Sequence, residues 1–429
     1  MRIGVIGCGY VFDHYMSTLR QHSTLSIAGV TDINRARAEQ VGGFYGLKVY
    51  ESNEDLLADP EVMLILNLSS IDSHYEVTKA ALEAGKHVYS EKPFTTDLTQ
   101  LRELIREAET LGLTLSGAPC NAMSNAVQTF WRALRDGAVG KIRVVYAEFD
   151  DNPIYLMRPE AWRSRSGAPW PYIHEYESGC TFEHAGYYLS WLAAMFGPAK
   201  SITAFSKCLV PDKTNEPLHP ADTPDFSVAC IEFESGITAR LTCSIVAPFD
   251  QRLRVIGDKG ELSMNTYRDY DCPVRLERFS GLSLNARKLR WVREKSWLQG
   301  LLGIGGRSLG LLRRMPAPSL FRKWLNPSRA FRQTQLGAQD KCLGLAEMVA
   351  AIDAGRTPWL TPEFIFHVTE LTLAMQRVGT EGSTHNLLSR FEPLRPLPFA
   401  DGSRSFRLNM KPSLAARLTE PLFERLHRH

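Results

Sequence analysis

The chain has 429 residues, of which 44% are apolar and 23% charged, with a formal net charge of +3. Those values fit an ordinary folded globular protein with room for two domains, and they exclude disordered, collagenous and disulfide-scaffold chains. No apolar run approaches the ~18 residues that a membrane-spanning helix needs, and a strand pattern starts at once, so neither a span nor a signal peptide is expected and a cytoplasmic location follows. The eight cysteines are scattered without a C-x-x-C spacing, which predicts buried free thiols. No His/Cys/carboxylate cluster has zinc spacing, so no metal is expected.

Residues 3–12 read IGVIGCGYVF. Ile3, Val5 and Ile6 form an apolar strand, Gly7 and Gly9 a turn, and Tyr10, Val11 and Phe12 lead into a helix. A strand feeding a Gly-x-Gly turn and then a helix aims backbone N–H groups and a positive helix end at one point, which suits a pyrophosphate. The third small residue of the usual fingerprint is here Phe12, which predicts a first helix set slightly off the strand or a ring turned sideways. The next strand, LSIAGVTD, ends at Asp32. A carboxylate at that distance accepts from a ribose 2′-OH and repels a 2′-phosphate, favouring NAD over NADP. Arg35 and Arg37, just beyond, keep NADP open.

Strand and helix patterns alternate to about residue 121. The segment DLTQLRELIREAETLG is amphipathic, with Leu98, Leu101, Leu104, Ile105, Ala108 and Leu111 at helical spacing and Asp97 as N-cap. Such alternation predicts a parallel, doubly wound α/β sheet over 1–121. From 122 to 429 longer β-rich runs joined by short turns predict a second α/β domain with an open, mostly antiparallel sheet. A helix over about 178–196 is expected near the junction.

Three pieces carry chemistry. Ser90-Glu91-Lys92-Pro93 follows a strand of the first half, and strand carboxyl ends line the ligand crevice of such sheets. Trp162-Arg163 can close an indole and a guanidinium over a polar ligand. In the helix after Gly179, His184 and Tyr188 lie one turn apart on one face, and Glu183 and Tyr187 do so on the neighbouring face.

Together the glycine turn, the EKP tripeptide, the WR pair and this helix resemble the Gfo/Idh/MocA oxidoreductases. The resemblance implies a Rossmann domain, a second α/β domain and NAD(P)-dependent chemistry on a sugar-like alcohol or ketone. It places Glu91 and Lys92 at the nicotinamide ribose and the reacting hydroxyl. It also assigns Ser69, His74, Asn121, Trp162 and Arg163 to the cofactor's surroundings. The family's helix pattern, aspartate-x-glycine-x-histidine, falls on His184 to Tyr188. That implies Tyr188 as acid/base, Lys92 as its electrostatic partner and His184 as substrate ligand or relay.

The stretch 270–335 departs from the family. Residues 287–332 hold twelve Lys or Arg and one acid, Glu294, so this block carries about +11 and the rest of the chain about −8. Apolar residues such as Trp297, Leu301 and Trp324 are interleaved with the cations. Three readings stand: packing on the sheet or on a second copy, contact with an anionic membrane surface, and capture of a phosphate such as a nucleotide-sugar diphosphate. Nucleic acid is not expected. The expected whole is an NAD-dependent oxidoreductase acting on a sugar, cyclitol or nucleotide sugar, assembled as a homodimer or tetramer. The alternatives are a redox-neutral enzyme with tightly bound NAD, of epimerase or glycosidase type, and a non-catalytic dinucleotide-binding regulator.

Overall fold

The computed structural model describes residues 1–314 and 338–402. The first sheet contains β1 (Arg2–Ile6), β2 (Ser26–Thr31), β3 (Leu64–Asn67), β4 (His87–Ser90) and β5 (Leu115–Gly117), all parallel, in the order β2-β1-β3-β4-β5. Its strands are apolar on both faces because helices cover both; Ile3, Val5, Leu64 and Ile65 are wholly buried. The strand order reverses between β1 and β3, so the carboxyl ends of these two strands open a crevice. Helix Leu98–Thr110 forms as expected. Asp97 caps it through the Thr99 N–H at 2.7 Å, and Leu101, Leu104 and Ala108 make its buried stripe.

The second sheet has nine strands: β6 (Ile142–Asp150), β7 (Ala199–Lys207), β8 (Phe226–Phe233), β9 (Thr238–Ser244), β10 (Leu253–Gly257), β11 (Gly260–Met264), β12 (Arg275–Arg278), β13 (Arg307–Ser308) and β14 (Thr384–Asn386). Their order is β13-β12-β11-β10-β6-β9-β8-β7-β14, antiparallel throughout except for β6 beside β9. Residues along β7 and β8 alternate between buried and accessible. The buried face packs under helices Cys180–Phe196 and Pro362–Glu381. The open face carries ion pairs such as Arg254–Glu261 and Arg240–Glu148.

A cut at residue 121 leaves out one return of the chain. Helix Cys342–Asp353 packs Cys342, Leu345, Met348 and Val349 into the cluster built on Ile3, Val5, Phe12 and Tyr15 of the first layer. Its apolar positions carry no mark of which layer they cover. Phe12 is buried in that same cluster, its ring tilted against Tyr45 at 5.8 Å. All eight cysteines are free; six are buried, Cys208 is half-buried and Cys230 is exposed, because Cys230 falls on the open side of β8. The part of the basic excursion that lies among the described residues is ordered. Three short helices, Gly281–Ala286, Arg290–Glu294 and Ser296–Leu302, connect β12 to β13 at the edge of the second sheet. Trp324 and the remainder of that stretch up to residue 335 lie outside the described residues.

Candidate active site

At the glycine turn the backbone decides the geometry. Gly7 has φ +101°, and a Cβ there would sit 2.3 Å from the Leu68 carbonyl oxygen, so only glycine lets β1 and β3 approach this closely. Gly9 is exposed, with open space where a side chain would be. The N–H groups of Gly7, Cys8 and Phe12 are bonded to Thr31 O, Asp32 and Gly9 O. Those of Gly9, Tyr10 and Val11 have no acceptor among the described residues. Three free donors at the start of helix Phe12–Leu19 fit a dinucleotide pyrophosphate. Asp32 braces the turn, accepting from Cys8 N at 2.7 Å and Asn34 N at 2.8 Å. Neither nearby cation is spare for a 2′-phosphate. Arg35 is bonded to Glu39 and Glu51, and Arg37 to Cys8 O and to Ser166.

The second half of the chain reaches over this turn through Ser166, whose N–H and hydroxyl both donate to Asp13 at 2.9 and 2.7 Å. Trp162 and Arg163 frame this lobe rather than its point of contact. Trp162 packs on Trp170 at 4.8 Å, and exposed Arg163 donates to the carbonyls of Glu160 and Trp162.

Below the crevice, Ser69 donates to Asn67 Oδ1 at 2.7 Å. Buried His74 faces two carbonyls, Pro93 O at 2.6 Å and Ser69 O at 3.1 Å. Burial holds its pKa below the ordinary value, and the ring sits between these two carbonyls. It ties the Ser69 loop to the segment that carries Lys92.

Helix Cys180–Phe196 supplies the other wall. It starts at Gly179, whose φ of +94° and contact with Thr223 exclude a side chain. Lys92 Nζ donates to Glu183 Oε2 at 2.6 Å and to Glu183 O at 2.7 Å, and it lies 5.7 Å from the centre of the Tyr187 ring. Burial disfavours the ammonium, but Glu183 first, and then Tyr187, Glu175 and Glu91, together more than offset this, so the Lys92 pKa is raised. Lys341 completes the group: its Nζ lies 3.1 Å from Glu91 Oε1 and 3.4 Å from the Tyr187 hydroxyl. Tyr15 donates to the same Glu91 oxygen at 2.9 Å. Burial alone would raise the Glu91 pKa, yet Lys341 and Lys92 bring it down to about 2.

This arrangement corrects the register inferred from the resemblance. Tyr188 is fully buried, and its hydroxyl donates to Gln251 O at 2.5 Å. Its ring stands edge-on to Phe149, on the sheet side of the helix. Burial first, then Tyr267, pushes its pKa well up. Lys92 therefore meets Glu183 and Tyr187, one position earlier than expected. Successive residues on a helix point about 100° apart, so one position is a different wall. Asn121 is fully buried, donating to Tyr187 O at 3.0 Å and accepting from Ser190 at 3.1 Å, so it fixes the helix.

His184 stacks on Phe149 at 4.8 Å, with Nε2 3.5 Å from Glu175 Oε2. Burial, with Lys92 and Arg268 nearby, pushes its pKa well down, while burial and Glu183 push that of Glu175 well up. His184 Nδ1 is buried without a partner among the described residues. Arg268, bonded to Asp151 at 2.6 Å, lies over the Tyr267 ring, which stacks on Tyr187. Sequence reasoning missed Lys341, Glu175 and Arg268, none of which sits in a motif. A cleft of about 290 Å³ is lined by Asp72, His174, Glu177 and Arg377 among others.

Residues 1–118 match the family model for the GFO/IDH/MocA oxidoreductases with an NAD-binding Rossmann fold, and residues 127–263 match the GFO/IDH/MocA C-terminal domain. The chain is 25% identical over 265 residues to trans-1,2-dihydrobenzene-1,2-diol dehydrogenase of Bos taurus, covering 61% of this chain and 72% of that protein. It is 26% identical over 274 residues to myo-inositol 2-dehydrogenase of Thermotoga maritima, covering 63% and 76%. Among solved structures, the WlbA dehydrogenase of Bordetella pertussis in complex with NADH and UDP-GlcNAcA superposes with a TM-score of 0.63 at 15% identity, over 90% of this chain and 97% of that one.

Proposed function

The chain belongs to the Gfo/Idh/MocA oxidoreductase family, and from that premise we propose that it is an NAD-dependent dehydrogenase or reductase of a CH–OH group, or the matching ketone, on a sugar, cyclitol or nucleotide sugar. The observation that carries the reading is the convergence of Lys92, Glu183, Tyr187 and Lys341 on one spot beside the cofactor crevice. Bound NAD supplies the hydride acceptor or donor. Gly9, Tyr10 and Val11 would hold its diphosphate and Asp32 its ribose, on the turn that Gly7 permits.

In the reducing direction the Tyr187 hydroxyl gives its proton to the substrate oxygen. The Lys92 ammonium, fixed by Glu183, donates a hydrogen bond to that oxygen as charge develops there. A preorganised donor of this kind is worth orders of magnitude in rate. Lys341 faces the oxygen of Tyr187 as its proton leaves, and Glu91 holds Lys341 in place. In the oxidising direction the same groups run in reverse. His184, through its unpartnered nitrogen, and Glu175 offer hydrogen bonds to a second substrate hydroxyl.

One observation favours a second reading, a redox-neutral enzyme that keeps its NAD. The Ser166 lobe is bonded to both Asp13 and Arg37 beside the turn, and such a strap slows cofactor release. The open face of the second sheet is a surface on which copies of the chain can assemble into a dimer or tetramer.

Native mass spectrometry of the purified protein tests cofactor retention and assembly together. A screen of sugars, inositols and nucleotide sugars with NAD and with NADP, followed by NADH absorbance, tests the reaction. Net NADH formation supports the dehydrogenase. Retained NAD with product but no free NADH supports the second reading. Failure to bind NAD at all would sink both.

A further inference from the structure

The excursion between β12 and β13 presents a surface unlike the rest of the molecule. Within residues 284–301, five large apolar side chains stand in solvent: Leu284 at 44%, Leu289 at 43%, Trp291 at 52%, Trp297 at 66% and Leu301 at 55% exposure. Exposed cations are interleaved with them. Arg290 is paired with Glu294. Lys288, Arg293 and Lys295 make no ion pair among the described residues, so their charge is uncompensated. Several acids elsewhere on the surface are paired with arginines, as in Arg143–Asp258 and Arg254–Glu261.

These side chains are displayed on a fixed platform. Ser280 caps the first short helix with a reciprocal capping box. Val292 and Ala286 are buried beneath. Gln299 reaches back to the carbonyls of Val292 and Arg293 at 3.1 and 2.9 Å. Glu277 accepts from Gly305 N at 2.7 Å and pairs with Arg287. The apolar groups face water while neighbours of the same segment pack inward, so their exposure is not local fraying.

We propose that this surface docks on the anionic face of a lipid bilayer. Indole and leucine side chains suit the boundary between headgroups and acyl chains, and Lys and Arg beside them reach anionic headgroups. Charge decides between this occupant and a second copy. An isologous contact would set each uncompensated cation cluster against its twin, which opposes association. No helix among the described residues is long and apolar enough to cross a membrane, so the contact is peripheral.

The test is flotation of the full-length protein with vesicles of phosphatidylcholine alone and of phosphatidylcholine mixed with phosphatidylglycerol. Wild type is expected to float with the anionic vesicles only, and less so as salt rises. Lys288→Gln/Arg293→Gln/Lys295→Gln is expected to lower the partition on the order of a hundred-fold. Trp291→Ala/Trp297→Ala is expected to abolish the blue shift of tryptophan fluorescence on vesicle addition. Both variants lie outside the cofactor site and should bind NAD as wild type does, which shows that they are folded. The proposal is overturned if wild type stays unbound, if neutral vesicles bind it equally, or if the variants float unchanged, which would place the contact elsewhere in the chain. It is equally overturned if the tryptophan variant changes the native mass while lipid binding persists, which would make the patch a contact between copies.

Discussion

The glycine turn and the helix Cys180–Phe196 wall the same site, but the sequence encodes them differently. At the turn the working groups are backbone N–H donors, and glycine is required because of a positive φ and a 2.3 Å approach. Any chain that makes this turn makes these donors. On the helix the working groups are side chains, and their direction depends on which residue faces which neighbour. Glu183 and Tyr187 face Lys92 and Lys341, whereas His184 and Tyr188 face Phe149 and the sheet. A helical spacing of four fits both pairs equally, so only the packed neighbours choose between them.

The largest effect expected within this comparison comes from Lys92, which meets the helix at Glu183 and Tyr187. Lys92→Met should lower kcat on the order of 10³-fold, through loss of the charged donor at the developing oxyanion. NAD affinity, measured by fluorescence titration, should change only a few-fold. A variant that keeps a tenth or more of wild-type turnover would place the chemistry elsewhere.

The direct contest is between the two tyrosines. Tyr187→Phe should cost roughly 10²-fold in kcat, the ordinary worth of a positioned acid or base. Tyr188→Phe should leave kcat within a few-fold. It should instead destabilise the fold by about 1–2 kcal/mol, because the buried Gln251 carbonyl loses its donor. Steady-state kinetics beside urea unfolding of each variant separates the two roles. The opposite pattern would restore the register that the family pattern implied.

Gly7→Ala probes the other region. The added methyl strains a positive φ and pushes on the Leu68 carbonyl, at a cost of about 1–3 kcal/mol. NAD affinity should fall roughly ten-fold while the tyrosine phenotypes persist in what activity remains. A variant that binds NAD normally would show that the turn relaxes and that its close approach is dispensable.

These contrasts explain what was legible in the sequence. Both sheets, the capped helix after Asp97, the cofactor turn and Lys92 were readable because each is marked locally by periodicity, a cap, a glycine or a strand end. The family resemblance added the order of the parts. What escaped were facts of long range. Lys341 reaches Glu91 from 250 positions away, and nothing near it in sequence announces a site. Asn121 sits where a cofactor ligand was expected, and its amide bonds to the helix through Tyr187 O and Ser190. A motif fixes which residues gather, and packing fixes which of their atoms are free.

The smallest effect compares two histidines, one beside the glycine turn and one in the second layer, away from it. His14 lies on the first helix beside the turn, and His367 is wholly buried in the long helix Pro362–Glu381. Burial pushes both pKa values down to about 4, aided at His14 by Lys341 and Arg268. The His367 ring accepts from Ala199 N at 2.9 Å, a bond only the neutral form can take. Unfolding restores an ordinary value near ~6.5. Between ~6.5 and 4 the unfolded chain therefore binds more protons than the folded one. Stability is fully present above ~6.5 and is lost as pH falls towards 4. Glu91 works in a lower window, since its stabilisation disappears only as pH drops from ~4.3 to about 2. Urea midpoints should decline on going from about pH 7 to about pH 5. His367→Gln, which keeps an acceptor for Ala199, should flatten that decline in part, and by the same amount with or without NAD. His14→Gln should flatten it by an amount that changes when NAD is added, because only His14 stands beside the crevice. If NAD alters both contributions alike, the two regions are coupled through the fold rather than distinguished by their distance from the cofactor.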